Sequence, residues 1–161
     1  MNVYELNRQA VVNYAKEWAF KRNPNYLDFE NFGGDCTNFV SQCIYAGCGV
    51  MNYTHDSGWY YNSPSDRAAG WSSVKYLYKF LTLNKDVGPY AVETGRDGVE
   101  IGDIVQLSNR VYGFHHSLII VDRTDTQIYI ASHSFDAFMR PLDSYFGEDK
   151  RYLHIEGYNK R

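Results

Sequence analysis

The stretch Gly33-Gly34-Asp35-Cys36-Thr37-Asn38-Phe39-Val40-Ser41-Gln42-Cys43-Ile44-Tyr45-Ala46-Gly47 sets a glycine pair directly ahead of an amphipathic run. Phe39, Val40, Cys43 and Ile44 recur at helical spacing, so the pattern predicts a loop that becomes a helix at Cys36 and stops at Gly47. The free N–H groups of a helix start carry partial positive charge and favour a thiolate over a thiol whose ordinary pKa is ~8.5. Cys36 is therefore the candidate nucleophile. A second block, Phe114-His115-His116-Ser117-Leu118-Ile119-Ile120-Val121, places two histidines at the head of an apolar, β-branched strand. A cysteine on a helix start and a histidine on a distant strand are the two parts that thiol-based hydrolysis requires.

The rest of the chain reads as helices followed by strands. Leu6, Ala10, Tyr14, Ala15 and Trp18 give a first helix that Asn23-Pro24 ends, and Val74, Leu77, Tyr78 and Leu81 give a third helix capped by Ser72 or Ser73. After Gly88-Pro89 the texture changes to strands over 101–107, 114–122, 127–133 and 152–157. This order predicts an α+β fold with a mostly antiparallel sheet, and 161 residues suit one domain spanning 1–161. The Tyr-, Gly- and Ser-rich stretch 49–70, with Trp59-Tyr60-Tyr61, reads as a functional loop or partial lid, and Trp59 is a candidate substrate contact.

Charge and cysteine usage narrow the function classes. A formal charge of −3 offers no basic field for a phosphate backbone, which argues against nucleic acid as a partner. No apolar run reaches membrane-spanning length, and no obligate protein partner is evident. The segment Met1 to Leu6 lacks the basic and apolar regions of a signal peptide, so the chain is expected in the cytoplasm, or in the cell wall or outside the cell if trimmed from an exported precursor. Three cysteines, Cys36, Cys43 and Cys48, leave at least one thiol free, and Cys43 and Cys48 read as packing residues. The histidines lack zinc-site spacing, so neither metal nor another cofactor is expected. His55 and His154 read as structural, while alternation sends His115 and His116 to opposite faces of one strand. A base of this kind works best with its ring held by a partner, for which His133 and Asp136 are the candidates.

The block Gly-Asp-Cys-Thr-Asn-Phe-Val-Ser-Gln at 34–42, Gly102-Asp103-Ile104-Val105-Gln106-Leu107 ahead of the His-Ser strand, and Ala131-Ser132-His133-Ser134-Phe135-Asp136 resemble the "putative amidase domain" family, within the broader NlpC/P60 and CHAP group. The resemblance runs from the helix opening at Leu6 through Arg140-Pro141-Leu142. It implies a papain-like α+β fold and cleavage of amide bonds, often in peptidoglycan peptides. The family pattern places the catalytic histidine directly before a small hydroxyl residue, which here is His116 before Ser117, with His115 second. The third position of the group is held by His, Asn, Gln or an acid, and His133 is preferred to Asp136. NlpC/P60 relatives share the Asp-Cys pair and use the acid to meet a substrate amine, which would make Asp35 a substrate-binding residue; Asp35 as a plain helix cap is the alternative. The expected activity is cysteine-dependent hydrolysis of a peptide or peptidoglycan-derived amide. A thiol acyltransferase using the same dyad and a non-catalytic wall-binding module are the rival readings.

Overall fold

The computed structural model describes residues 1–161. Strand β1 (Asn2–Tyr4) precedes helices α1 (Arg8–Trp18) and α2 (Cys36–Cys48), a small hairpin of β2 (Tyr61–Ser63) and β3 (Asp66–Arg67), and helices α3 (Ala69–Ser72) and α4 (Val74–Leu83). Strands β4 (Gly88–Thr94), β5 (Ile104–Asn109), β6 (Gly113–Arg123), β7 (Ile128–Ser132), β8 (Ala137–Pro141) and β9 (Asp149–Lys160) follow. The main sheet is antiparallel in the order β1-β9-β5-β6-β7-β8, with β4 also paired to β9. The expected α+β order holds. β1, β4 and β8 add to the four strands read from the pattern; the expected third helix is α4, capped by Ser73, whose side chain accepts from Tyr76 N–H, and the short α3 precedes it.

Helix α2 is the centre of the molecule. Eleven of its thirteen residues are buried, so it is covered on every side rather than along one stripe. It runs one residue past Gly47 to Cys48 and is capped by Gly49, which takes the left-handed conformation at φ 67°. Gly47 serves a different need: a Cβ there would lie 2.6 Å from Val11 Cγ2 and 2.8 Å from the Asn7 carbonyl oxygen. The missing side chain lets α1 cross α2 closely, and Asn7 N–H donates to the Gly47 carbonyl at 3.0 Å.

The two sheet faces carry different loads. Ile104, Ile119, Val121, Ala131, Leu153 and Ile155 face the helices and join Phe39, Val40, Cys43 and Ile44 in the main core. Val105, Leu107, Leu118, Ile120 and Ile130 form a second cluster on the opposite face, closed by Leu142 and Tyr145. Between β5 and β6 the register shifts: Leu107 pairs with His116 but Ser108 with Phe114, which leaves His115 as the extra residue of a bulge. The stretch 49–70 is not a loose lid. Trp59, Tyr60 and Tyr61 are buried, and Asn52 and Trp59 exchange backbone hydrogen bonds.

Replacing Gly47 with alanine should push α1 off α2 and cost about 1–3 kcal/mol of stability, read as a lower urea midpoint with an unchanged slope.

Candidate active site at the start of helix α2

Cys36 is the first residue of α2. Gly33 and Gly34, at φ 102° and 101°, make the turn that leads into it, and a Cβ on Gly34 would press on Ser134 Oγ at 3.3 Å. The thiol is 8% exposed. Its Sγ has Thr37 Oγ1 at 3.7 Å as its side-chain hydrogen-bond neighbour, and the backbone N–H groups of Ser117 and Thr37 also point at it. Burial raises the thiol above its ordinary value, the donors from Ser117 and Thr37 offset this only in part, and the Asp35 charge adds to it. Burial likewise pushes Cys43 far up and Cys48 to about 12. All three cysteines are free.

Asp35 is turned into the protein. Its side chain makes no cap bond to α2; Oδ1 accepts from Phe29 N–H at 2.9 Å and Asn38 Nδ2 at 2.9 Å, and Oδ2 lies 2.5 Å from His133 Nδ1. At 1% exposure and with these partners, it is neither the cap nor the substrate-facing acid that the sequence suggested. His133 is also buried. Its Nε2 faces the Trp18 carbonyl oxygen at 2.8 Å, and its ring stacks on Phe39 at 4.0 Å. Both ring nitrogens are thus engaged, which leaves none to orient a second histidine. Asp136 is engaged too, since Arg22 donates to both of its oxygens at 2.9 and 3.0 Å.

The two strand histidines lie away from Cys36. Ser117 faces α2, with its Oγ 2.9 Å from Thr37 Oγ1, so the preceding His116 turns to the opposite face, where its ring centroid lies 6.4 Å from that of Tyr145. Alternation operates as expected but in the other phase: the structure does not bring His116 to the nucleophile. The bulge carries His115 to the same side, its ring 6.3 Å from His116 and its Nε2 3.0 Å from Glu148 Oε2. Burial, then the neighbouring His115, lower the His116 pKa from 6.5 to about 4. Trp59 is likewise no substrate contact. It is fully buried, donates from Nε1 to Ser41 Oγ at 3.0 Å, and packs on Trp71 and Phe80.

Sequence reasoning missed the polar residues that do approach Cys36. Thr37, Ser117 and Gln106 are buried, and Ser117 and Gln106 interrupt otherwise apolar strands, which was the available signal. Beside the glycine turn, a groove of about 480 Å³ is lined by Phe29, Phe32, Gly33, Gly34, Arg67 and Tyr76. A larger cleft of about 570 Å³ lies across Tyr76 and excludes the turn. No group of three or more His, Cys, Asp or Glu side chains is placed to hold a metal ion. No helix is long and apolar enough to cross a membrane.

These features define an α+β protein with a thiol on the first turn of a buried helix, backed by an antiparallel sheet. Residues 5–155 match the family model described as "Putative amidase domain", and the chain belongs to that family. It is similar to the Uncharacterized protein YhbB of Bacillus subtilis (strain 168), with 30% identity over 145 residues, 85% of this chain and 44% of that protein. It is also similar to the Uncharacterized protein YjcM of the same organism, with 24% identity over 159 residues, 89% of this chain and 35% of that one. The chain therefore spans less than half the length of either relative. No solved structure matches it.

Two outcomes follow from these contacts. Asp35→Asn removes the charge from a buried pair and should destabilise the fold by roughly 3–5 kcal/mol in chemical denaturation, whatever the substrate. For His116, the unfolded chain takes up a proton below pH 6.5 that the folded ring refuses until about pH 4. This contribution to stability is present above 6.5 and is lost as pH falls toward 4. His116→Gln should flatten that stretch of the plot of unfolding midpoint against pH.

Proposed function

We propose that this chain is a cysteine-dependent amide hydrolase of the papain-like NlpC/P60 and CHAP type, with Cys36 as nucleophile and cell-wall peptides as substrates. One observation carries the reading: the Cys36 sulfur sits on the first turn of α2 beneath the N–H groups of Thr37 and Ser117, next to a groove at the glycine turn. The thiolate attacks the amide carbonyl, and the new oxyanion is met by N–H groups of the helix start. The histidine that took the thiol proton gives it to the leaving amine, and water, losing a proton to the same ring, then cleaves the thioester and frees the thiol.

The base comes from the β6 bulge. His115 is the extra residue there, is partly exposed, and is tethered through one contact to Glu148, whereas His116 is packed beside Tyr145. Relaxing the bulge would restore His115 to the face of Ser117, where it reaches toward Cys36. His133 and Asp35 serve the helix start as a buried brace. Acyl transfer to an added amine uses the same steps and differs only in what attacks the thioester.

A second reading, a wall-binding module without catalysis, is favoured by the absence of a histidine at hydrogen-bonding distance from Cys36. Incubating the protein with muropeptides and weighing the products separates the two. Hydrolysis predicts amide cleavage that Cys36→Ala abolishes, that His115→Ala reduces by about 10²–10⁴-fold, and that His116→Ala reduces far less. Retained muropeptide binding with no cleavage by the wild type establishes the binding module, and a dead His116→Ala beside an active His115→Ala returns the base to His116.

A further inference from the structure

A buried chain of hydrogen bonds leads from Cys36 to the other side of the sheet, and its direction is fixed by its far end. Arg151, on β9, can only donate; its Nε and Nη2 reach Gln106 Oε1 at 2.9 and 2.6 Å. Its guanidinium lies between the rings of Tyr78 and Phe114, at 3.7 and 3.8 Å, and no carboxylate pairs with it. With the Gln106 oxygen so occupied, its Nε2 must be the end that faces the Val74 carbonyl at 3.1 Å and Ser117 Oγ at 3.1 Å. Ser117 therefore accepts from Gln106, and its own hydrogen goes to Thr37 Oγ1 at 2.9 Å. Thr37 then has its hydrogen free for the remaining neighbour, Cys36 Sγ at 3.7 Å.

We propose that the series Arg151, Gln106, Ser117, Thr37 is a polarised relay that presents a hydrogen to Cys36 Sγ and thereby lowers the cost of the thiolate once a base has taken the thiol proton, against the burial that opposes it. Every link donates toward the sulfur, and the cation at the far end prevents reversal. Arg151, Gln106 and the Ser117 hydroxyl are positioning groups, because among the relay's side chains Thr37 alone touches the reacting atom. The catalytic meaning of the relay rests on the reading of Cys36 as nucleophile. It reduces the work left to the histidine that takes the proton. The other titratable groups near Cys36 are Asp35, whose charge opposes the thiolate, and its partners His133 and Arg22. They belong to a separate set of bonds that does not include the relay.

The test is titration of the Cys36 thiolate by its ultraviolet absorbance, taken as wild type minus Cys36→Ser, which requires no reagent to enter the site. Thr37→Val removes the last donor and should raise the midpoint by about one pH unit, a tenfold loss of thiolate at a fixed pH below it. Thr37→Ser keeps the hydroxyl and should keep the wild-type midpoint. Gln106→Glu gives Ser117 an acceptor where it had a donor, beside a neutralising Arg151, and should raise the midpoint as Thr37→Val does although it does not touch the sulfur. Arg151→Met should raise it less. An unmoved midpoint in a folded Gln106→Glu protein, judged by circular dichroism, overturns the relay even if Thr37→Val shifts. Midpoints that move as expected in a protein that cleaves no muropeptide leave the relay standing and remove the hydrolase reading; cleavage with unmoved midpoints does the reverse.

Discussion

A helix with no exposed face must find a partner inside the protein for every polar side chain it carries, and α2 imposes that condition on everything around it. Asn38 bonds to the Leu27 carbonyl, Asp35 and the Trp71 indole; Ser41 links Trp59 and Trp71; Gln42 takes the Tyr14 hydroxyl. Each bond adds only about 1 kcal/mol net, but each orphan would cost about 1–3, so the partners are constrained more by what their loss entails than by what they contribute. The aromatic stretch after α2 is therefore pinned down, and the loop before it folds around the Asp35 carboxylate.

The same condition explains the division of labour at the helix start. Asp35 is consumed by structure: it gathers the Phe29 amide, Asn38 and His133, with the Arg22 guanidinium 3.8 Å away. A carboxylate this well satisfied can brace the first turn without competing for a ligand. Cys36, next in the chain, is left with the weaker donors of Thr37 and two backbone amides, which oppose the burial of its sulfur.

Much of this was legible in the chain. The glycine pair before an apolar period of 3.6 located the start of α2, and β-branched runs located β5, β6, β7 and β9. β4 begins at Gly88-Pro89 on an edge of the sheet, where the pattern is weak, and Met139 adopts a left-handed φ of 60° inside β8, so neither gives a clean alternation. The site was harder because period two fixes that neighbours diverge but not which one turns inward. At His116-Ser117 the small hydroxyl took the inward place, since Thr37 required a partner there and a bulge beside it removed His115 from the count. Trp59 was misplaced for a related reason: composition places an aromatic in a loop, whereas only the three-dimensional arrangement reveals Ser41 as the acceptor for its indole.

The position of β9 has a consequence for the order of events as the polypeptide is made. β9 pairs with β1, β4 and β5 and supplies Arg151 at the head of the bonds that reach Cys36. It is also the final element of the sheet to leave the ribosome. The nascent chain thus carries its cysteine for more than a hundred residues of synthesis before Arg151 exists. Until the sheet closes, Cys36 is an ordinary solvent-exposed thiol, and only the finished fold buries it against Thr37 and Ser117.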